Sequence, residues 1–264
     1  MKPVAFRYER PESVEEAVAL LAEHGDEAKV LAGGQSLVPV LNMRLLHPSV
    51  VVDINRVLDL DNIDRPHGSL RVGALVRQAD ARLLEVPLLR DCLPSVGHFV
   101  TRNRGTVCGS VAHADAAAEL PLALTLLGGS VVAASARDRR EIAAADFFVT
   151  HFTTHLGPDE LVVETVWPTD GDGWGYAFEE LAQRHGDFAL CMAGAAACGP
   201  ELRVALGAVV DRPTLIDVDP DAPGESAAAQ VEPTGNLHAS SAYLRNLVRV
   251  LVDRAVARAR ERAT

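Results

Sequence analysis

The chain has 264 residues, of which 48% are hydrophobic and 23% charged, as in an ordinary globular protein with a substantial core. Acidic residues number 36 against 25 basic ones, so the formal net charge is −11. This balance disfavours nonspecific binding to nucleic acid or to an anionic membrane. The opening stretch MKPVAFRYERP lacks the apolar centre of a secretory signal, and no apolar run is long enough to span a bilayer. We therefore expect a cytoplasmic protein without a membrane span.

The first part of the chain alternates short strands and helices. PESVEEAVALLAEHG predicts a helix with Ser13 as its N-cap, Glu16 completing a capping box and Gly25 ending it. KVLAGG predicts a strand that runs into a glycine turn, and SLVPVLNMRL predicts a helix capped by Ser36. VVVDI and SLRVGALV predict two more strands, and helices are expected in ADARLLEVPLLRDCL and PSVGHFV.

The second part begins with another glycine loop, GTVCGS, before a predicted helix PLALTLL that Gly128 ends. SVVAASA, DELVVETVWP, AFEEL and RVALGAVV predict strands, with the apolar segment ALCMAGAAAC between the last two. A closing helix is expected from about Ser240 to Arg262. The segment 217–235 is rich in proline, glycine and acids and predicts a mobile loop. The irregular alternation indicates an α+β or mixed α/β chain in at least two parts, with a linker in TDGDGWG near residues 169–174.

The two glycine loops, AGGQS and GTVCGS, are the strongest candidates for a ligand site. The patterns G-x-G-x-x-G and G-x-x-x-x-G-K-[ST] are both absent, so neither of the usual nucleotide grips is supported. Successive backbone amides at such turns form a positive concavity suited to phosphate, and two loops could hold a pyrophosphate from both sides. The alternative is that each loop is only a turn. The segment RNR at 102–104 could position a phosphate or simply be surface charge.

Two further segments carry side chains with possible chemistry. AHADAAAELP supplies His113, Asp115 and Glu119, and a carboxylate beside a nucleotide can accept a hydrogen bond from a ribose hydroxyl. Alternatively, Asp115 is a helix N-cap and Glu119 a first-turn residue favoured by the helix dipole. RHGDFA supplies His185 and Asp187, which would share one face of a strand. Because no nucleophile is placed beside them, we predict no catalytic triad.

We also predict no metal site. His151 and His155 have the spacing of a metal pair but lack the Glu of H-E-x-x-H, so solvated histidines are expected. No C-x-x-C pair occurs, and reduced thiols are expected. The four cysteines are Cys92, Cys108, Cys191 and Cys198.

Taken in order, the motifs resemble a known family. AGGQSLVPVLNMRL, PSVVVDI, RNRGTVCGSVAHADAAAELPLAL and FEELAQRHGDFAL match in order and spacing the FAD-binding medium subunit of molybdenum hydroxylases, the carbon monoxide dehydrogenase and xanthine dehydrogenase type of flavoprotein. NLHASSAYLRNLVRVLVDRAV is similar to that family's final helix. The resemblance covers nearly the whole chain.

The resemblance implies an α+β fold. Residues 1–171 would form a PCMH-type, vanillyl-alcohol-oxidase-like FAD-binding domain, with an N-terminal part over about 1–55 and a second part over about 56–171. Residues 172–264 would form a C-terminal antiparallel sheet with helices, like the C-terminal domain of carbon monoxide dehydrogenase flavoproteins. FAD would lie between the first two parts.

The resemblance also implies which residues hold FAD. Backbone amides of the two loops would wrap the pyrophosphate, His113 would give a polar contact, and Glu119 would lie on the ribose side. Leu161 would pack near the adenine, and Asp187 and Phe188 would approach the isoalloxazine. The expected set is Ala32, Gly33, Gly34, Gln35, Ser36, Leu37, Thr106, Gly109, Ser110, His113, Glu119, Leu161, Asp187 and Phe188. The family's second loop usually reads T-[IV]-G-G-[SN], and Cys108 stands at its first glycine, where a positive φ would strain a cysteine.

The function implied is electron transfer within a complex. A large subunit with a molybdenum cofactor would oxidise the substrate, and a small subunit with two [2Fe-2S] clusters would pass the electrons to FAD in this chain. The acceptor would be NAD⁺, oxygen or a quinone. Two alternatives stay open: a stand-alone FAD-dependent oxidase or dehydrogenase, and a non-enzymatic subunit that has lost FAD.

Overall fold

The first elements of the chain build a small parallel sheet. The computed structural model describes residues 2–169 and 173–264. Its elements begin with β1 (Arg7–Glu9), α1 (Val14–His24), β2 (Ala28–Leu31), α2 (Leu37–Asn42) and β3 (Val50–Asp53). The three strands pair in parallel in the order β1-β3-β2. β3 is buried along its whole length, and α1 packs its apolar stripe onto one face of this sheet, where Val50 and Val52 lie.

The ends of these helices test the predicted caps. The Ser13 hydroxyl accepts a hydrogen bond from the N–H of Glu16 at 3.1 Å, and the Glu16 carboxylate accepts one from the N–H of Glu12 at 2.8 Å. Gly25 ends α1 with a φ of +50°, so the first helix is confirmed. Ser36 is the N-cap residue of α2, as predicted, but its side chain makes no capping hydrogen bond. Its backbone is helical (φ −99°, ψ −48°), whereas an N-cap residue whose side chain caps the helix is typically extended.

The middle of the chain forms a five-stranded antiparallel sheet with helices around it. Its elements are β4 (Ile63–Asp64), β5 (Ser69–Gly73), α3 (Pro87–Cys92), α4 (Phe99–Arg102), α5 (Val107–His113), α6 (Glu119–Leu127), β6 (Ser130–Ala134), β7 (Arg139–Ala143), α7 (Ala144–Phe147), β8 (Phe148–Thr150), β9 (Thr153–Thr154) and β10 (Leu161–Pro168). The sheet order is β4-β5-β10-β6-β7, and β8 and β9 form a separate hairpin. The helix expected around residues 79–93 is split into a 3₁₀ turn at Ala81–Glu85 and α3, and the one expected in PSVGHFV begins only at Phe99.

The C-terminal part is a four-stranded antiparallel sheet with two helices. Its elements are β11 (Gly175–Ala182), β12 (Ala189–Cys198), β13 (Glu201–Gly207), β14 (Thr214–Ile216), α8 (Pro223–Ala229) and α9 (Ser241–Arg262). The strands lie in the order β11-β12-β13-β14. The strands and the closing helix expected here are confirmed. Residues 170–172 of the predicted linker lie outside the described residues.

β12 explains why its segment is apolar throughout. Successive side chains of a strand point to opposite faces of the sheet. Met192 and Ala196 lie in the main core, which the N-terminal and middle parts of the chain build together, whereas Cys191, Ala193 and Ala195 lie in a second core under α8 and α9. Because both faces are covered, the strand has no solvent face and shows no polar alternation.

The prediction of a mobile loop at 217–235 is wrong, since this segment contains α8. Pro223, Gly224, Ala227 and Ala228 are buried, and the N–H of Gly224 donates to Asp253 Oδ1 of α9 at 2.8 Å. A Cβ on Gly224 would lie 2.2 Å from the carbonyl oxygen of Arg249. Small side chains let α8 pack closely against α9. The low hydrophobicity of the segment gave no sign of this packing.

Two local predictions near the candidate site also need correction. Residues 183–188 form turns between β11 and β12, so His185 and Asp187 are exposed and do not share a strand face. Asp115 is not the N-cap of α6, because that position is Ala118. The Asp115 carboxylate instead accepts from the N–H of Ala117 at 2.9 Å. Glu119 does stand in the first turn of α6. Among the helices described, none combines the length and the apolar character that a bilayer span requires.

Candidate functional site

The residues predicted from four separate motifs line one cavity. It has a volume of about 850 Å³, within the usual range for ligand sites. Its walls come from the loops after β2 and before α5, the start of α6, the start of β10 and the turn before β12. Every residue of the predicted FAD set is part of this lining. The fold therefore brings together positions that are up to 156 residues apart, from Ala32 to Phe188.

The two glycine loops touch each other at Gly33. A Cβ built on Gly33 would lie 2.4 Å from the carbonyl oxygen of Arg104, 2.7 Å from Cα of Gly105 and 3.0 Å from the nitrogen of Thr106. All of these are backbone atoms, so no side-chain movement could make room. The following residue, Gly34, has a φ of +73°, a conformation that L-residues rarely adopt. Glycine is therefore needed at 33 because the backbone of the second loop lies so close, and at 34 because the turn requires a positive φ.

The first loop leaves its backbone donors free. Within the described parts of the chain, the N–H groups of Gly33, Gly34, Gln35 and Ser36 donate to no protein acceptor. In the second loop, the Thr106 hydroxyl caps α5 by accepting from the N–H of Gly109 at 3.0 Å. Lys29 is the one lysine or arginine among the described lining residues. A pyrophosphate in this cavity would therefore be held by amide dipoles, and the loops fit the pyrophosphate of FAD.

A polar brace that the sequence did not predict ties the two loops together. Asn55 Nδ2 donates to the carbonyl of Ala32 in the first loop at 2.8 Å. Arg77 Nη1 donates to the carbonyl of Arg104 beside the second loop at 2.7 Å, and Arg77 Nη2 donates to Asn55 Oδ1 at 2.8 Å. Asp53 orients Asn55 by accepting from its amide nitrogen at 2.6 Å. The sequence offered one hint of this role, because Asn55 and Arg77 each follow a strand that ends near a loop.

Removing this brace should loosen the cofactor site more than the fold. We expect Asn55→Ala to raise the dissociation constant for FAD about tenfold, or ~1.4 kcal/mol, because the Ala32 carbonyl and Arg77 both lose their partner. Titration of FAD into the cofactor-free chain, followed by flavin fluorescence, measures this. Asn246→Ala, at an exposed position of α9, is the matched control. Equal affinities for both variants and the parent would show that the loops hold their positions unaided.

The segment RNR does not reach the cavity. Arg102 donates to the carbonyls of Val96 and Gly97 at 2.9 and 3.0 Å, and Arg104 lines a different recess on the far side of the first loop. The cavity is lined instead, on the side of the C-terminal sheet and the residues before α4, by Gly97, Gly186, Asp187 and the exposed Phe188. The turn that carries Asp187 is packed closely onto the residues just before α4, because a Cβ on Gly186 would meet the His98 ring at 2.7 Å.

Glu119 and His113, which both line the cavity, have shifted pKa values. Burial raises the pKa of Glu119 to about 8, and the carboxylate of Glu180 adds to this shift. Burial lowers the pKa of the half-buried His113, although Asp115 opposes the change. The His113 ring packs against Phe152 with centroids 4.8 Å apart. Phe152 has a φ of +57°, which is costly for a bulky residue, and it is a lining residue that the sequence did not reveal.

Cys108 fits its place without strain. It lies in α5 and has no positive φ, so the concern raised by the missing glycine is wrong. Its thiol is fully buried and donates to the carbonyl of Val72 at 3.3 Å. Burial raises the pKa of Cys108 to about 12 and that of Cys191 to about 12. All four cysteines are free. Within the part of the chain that is described, no three His, Cys, Asp or Glu side chains are grouped to hold a metal ion.

Replacing Cys108 with the glycine usual in the family should therefore lower stability without improving FAD binding. We expect Cys108→Gly to destabilise the chain by roughly 2 kcal/mol, because glycine lowers helix propensity and leaves a small cavity. The affinity for FAD should stay within about twofold of the parent. Thermal unfolding and FAD titration measure the two effects, with Cys198→Gly as a control at a less buried thiol. Tighter FAD binding by Cys108→Gly would mean that the cysteine obstructs the loop.

Comparisons with known proteins agree with this geometry. The model of the family described as FAD binding domain in molybdopterin dehydrogenase matches residues 4–170, which is more than half of the chain. The 6-hydroxypseudooxynicotine dehydrogenase complex subunit alpha of Paenarthrobacter nicotinovorans is 38% identical, with 100% of this chain and 97% of the relative covered. The nicotine 6-hydroxylase medium subunit of the same organism is 36% identical, with 98% and 99% covered.

Solved structures support the same relationship. Carbon monoxide dehydrogenase from Hydrogenophaga pseudoflava superposes with a TM-score of 0.94 at 29% identity, covering 100% of both chains. Quinoline 2-oxidoreductase from Pseudomonas putida 86 superposes with a TM-score of 0.90 at 35% identity, covering 99% of both chains. The predicted α+β architecture is thereby confirmed. The chain belongs to the family of FAD-binding domains in molybdopterin dehydrogenases, and it is an FAD-dependent oxidoreductase subunit of the medium-subunit type.

Proposed function

We propose that this chain carries FAD as the electron-transfer subunit of a molybdenum hydroxylase. It would take electrons from [2Fe-2S] clusters in a small partner subunit and pass them to an external acceptor. A large partner subunit with a molybdenum cofactor would oxidise the substrate. The observation that carries the proposal is the single cavity lined by all four family motifs, among them the glycine-loop amides that donate to no acceptor in the described part of the chain and the turn that carries Asp187.

The chain's own residues have distinct tasks in this proposal. Gly33, Gly34, Gln35 and Ser36 would bind the pyrophosphate through their free amides, with help from the loop at 106–110. Leu161 would pack against the adenine, and His113 and Glu119 would contact the polar middle of the cofactor. Asp187 and Phe188 would orient the isoalloxazine. When bound, FAD supplies the redox chemistry, and the protein supplies binding, orientation and electrostatics.

We also propose the domain division that the resemblance implies. Residues 1–171 would hold the cofactor, and residues 172–264 would close the flavin end through the turn before β12. The packing supports this division in one respect, because the second core lies wholly within residues 177–259 of the C-terminal part. The main core nevertheless includes Phe178, Met192 and Ala205 from the C-terminal sheet, so the two parts share an interface.

The first experiment is an absorption spectrum of the chain produced alone and, if needed, supplied with FAD. We expect flavin bands and, after denaturation, release of FAD identified by its retention on chromatography. Substrate should bleach the flavin only when the partner subunits are present. A chain that neither carries nor takes up FAD would favour the non-enzymatic subunit, and bleaching of the isolated chain by an organic substrate would favour a stand-alone oxidase.

A further inference from the structure

A second recess lies on the other side of the first glycine loop. It has a volume of about 770 Å³. Ala32, Gly33, Gly34 and Gln35 line both this recess and the FAD cavity, so the loop is a shared wall. The remaining lining is mostly polar and comes from β1, the start of α2, the end of β3 and the arginines at 77 and 104.

The recess gathers positive charge on an acidic chain. Arg10, Arg77 and Arg104 line it, and Asp53 is the one acid among the described lining residues. The chain as a whole has a formal net charge of −11. Within residues 2–169 and 173–264, no carboxylate forms an ion pair with any of these three arginines. Three arginines that line one recess and form no ion pair among the described residues are an arrangement typical of oxyanion recognition.

Asp53 offsets one of the three arginine charges, so the residues that line the recess keep an excess of two positive charges. It accepts hydrogen bonds from the Tyr8 hydroxyl, from the N–H of Asn55 at 3.0 Å and from Asn55 Nδ2 at 2.6 Å. Arg77 is half-buried and directed toward Asn55 and the carbonyl of Arg104. Burial lowers the pKa of Arg77, and the neighbouring Arg104 lowers it further. The two cations repel each other, and a bound anion would relieve that repulsion.

We propose that this recess binds a multiply charged oxyanion, such as the phosphate groups of a small nucleotide, at a site separate from the FAD cavity. An excess of two positive charges matches a multiply charged phosphate better than the single charge of one carboxylate, and the volume exceeds what one carboxylate needs. The site contacts the cofactor loop from behind, because Arg77 holds the Arg104 carbonyl that lies against Gly33. Occupancy of the recess would then stabilise the same loop that wraps FAD.

Isothermal titration with inorganic pyrophosphate tests this on the full chain, with and without FAD. At low ionic strength, where surface charges are least screened, we expect one saturable site in the FAD-loaded chain and two in the FAD-free chain. In the FAD-loaded chain, the double variant Arg10→Gln/Arg104→Gln should raise the dissociation constant for pyrophosphate at the remaining site at least fivefold. Thermal unfolding verifies that the variant folds.

Arg56→Gln is the matched control, since Arg56 is an exposed arginine on the same part of the chain that lies outside the recess and pairs with Glu12 at 3.5 Å. It should leave pyrophosphate binding unchanged. The proposal is overturned if the FAD-loaded chain shows no saturable pyrophosphate site. It is also overturned if Arg56→Gln weakens binding as much as the double variant does, because the attraction would then be diffuse surface charge.

Discussion

Replacing Gly33 with alanine is expected to raise the dissociation constant for FAD roughly 100-fold, or ~2.7 kcal/mol. The new methyl group would lie 2.4 Å from the Arg104 carbonyl oxygen and 2.7 Å from Cα of Gly105. Both neighbours are backbone, and the Arg104 carbonyl is held by Arg77. The two loops would have to separate, and their amides would no longer converge on one pyrophosphate.

Gly199→Ala is the matched control for this substitution. Gly199 lies in the turn between β12 and β13, has a φ of +53° and has open space where the methyl group of an alanine would lie. The substitution should lower the melting temperature through backbone strain but leave FAD affinity unchanged. Titration of FAD into both cofactor-free variants separates the two effects. Parent-like affinity in Gly33→Ala would show that contact between the loops is not needed for binding.

Replacing Glu119 with glutamine is expected to change how stability depends on pH. Glu119 is buried at the start of α6, and its neighbours in charge are Glu180, Asp115 and Arg102. The pKa of Glu119 in the folded chain, about 8, is above its ordinary value of 4.5. The folded state therefore holds a proton that the unfolded state has lost, so this stabilisation is fully present below about pH 4.5 and is lost as pH rises through about 8.

Glutamine cannot ionise, so the stability of the variant does not fall in this way as pH rises. Because one pKa unit corresponds to about 1.36 kcal/mol, Glu119→Gln should be more stable than the parent at pH 9 by a few kcal/mol. That difference raises the melting temperature of the cofactor-free chain by roughly 5–10 °C. The gap should close as pH falls toward 4.5, where the unfolded parent also binds the proton. Thermal unfolding at several pH values measures it.

Glu160→Gln provides a control for which the effect on stability should depend on pH in the opposite direction. A hydrogen bond from Arg140 lowers the pKa of Glu160 below its ordinary value, against the effect of burial. The stabilisation from Glu160 is present above its unfolded pKa and is lost as pH falls, so its removal should matter at pH 7 and fade in acid. A pH-independent gap for Glu119→Gln would mean that Glu119 is ionised in the folded chain at neutral pH.

Local sequence was sufficient for much of the fold. The capped helix at 14–24, the buried strand VVVD and the closing helix follow from caps and apolar periodicity over short windows. It failed at α8, where Gly224 and Ala227 are buried through close helix packing. At Ser36 it placed the start of α2 correctly but not the missing capping hydrogen bond of the Ser36 side chain. In each failure, tertiary packing outweighed local preference.

For the candidate site, too, part of the arrangement follows from the local sequence and part only from tertiary packing. The sequence by itself determined the glycine loops, the family and the residues expected around FAD, because glycine freedom and motif spacing are local properties. Only the tertiary structure decided that Gly33 touches the second loop, that Asn55 and Arg77 brace both loops, and that three arginines converge behind them. Those facts depend on distances between segments far apart in the chain, and such distances exist only after the sheets have packed.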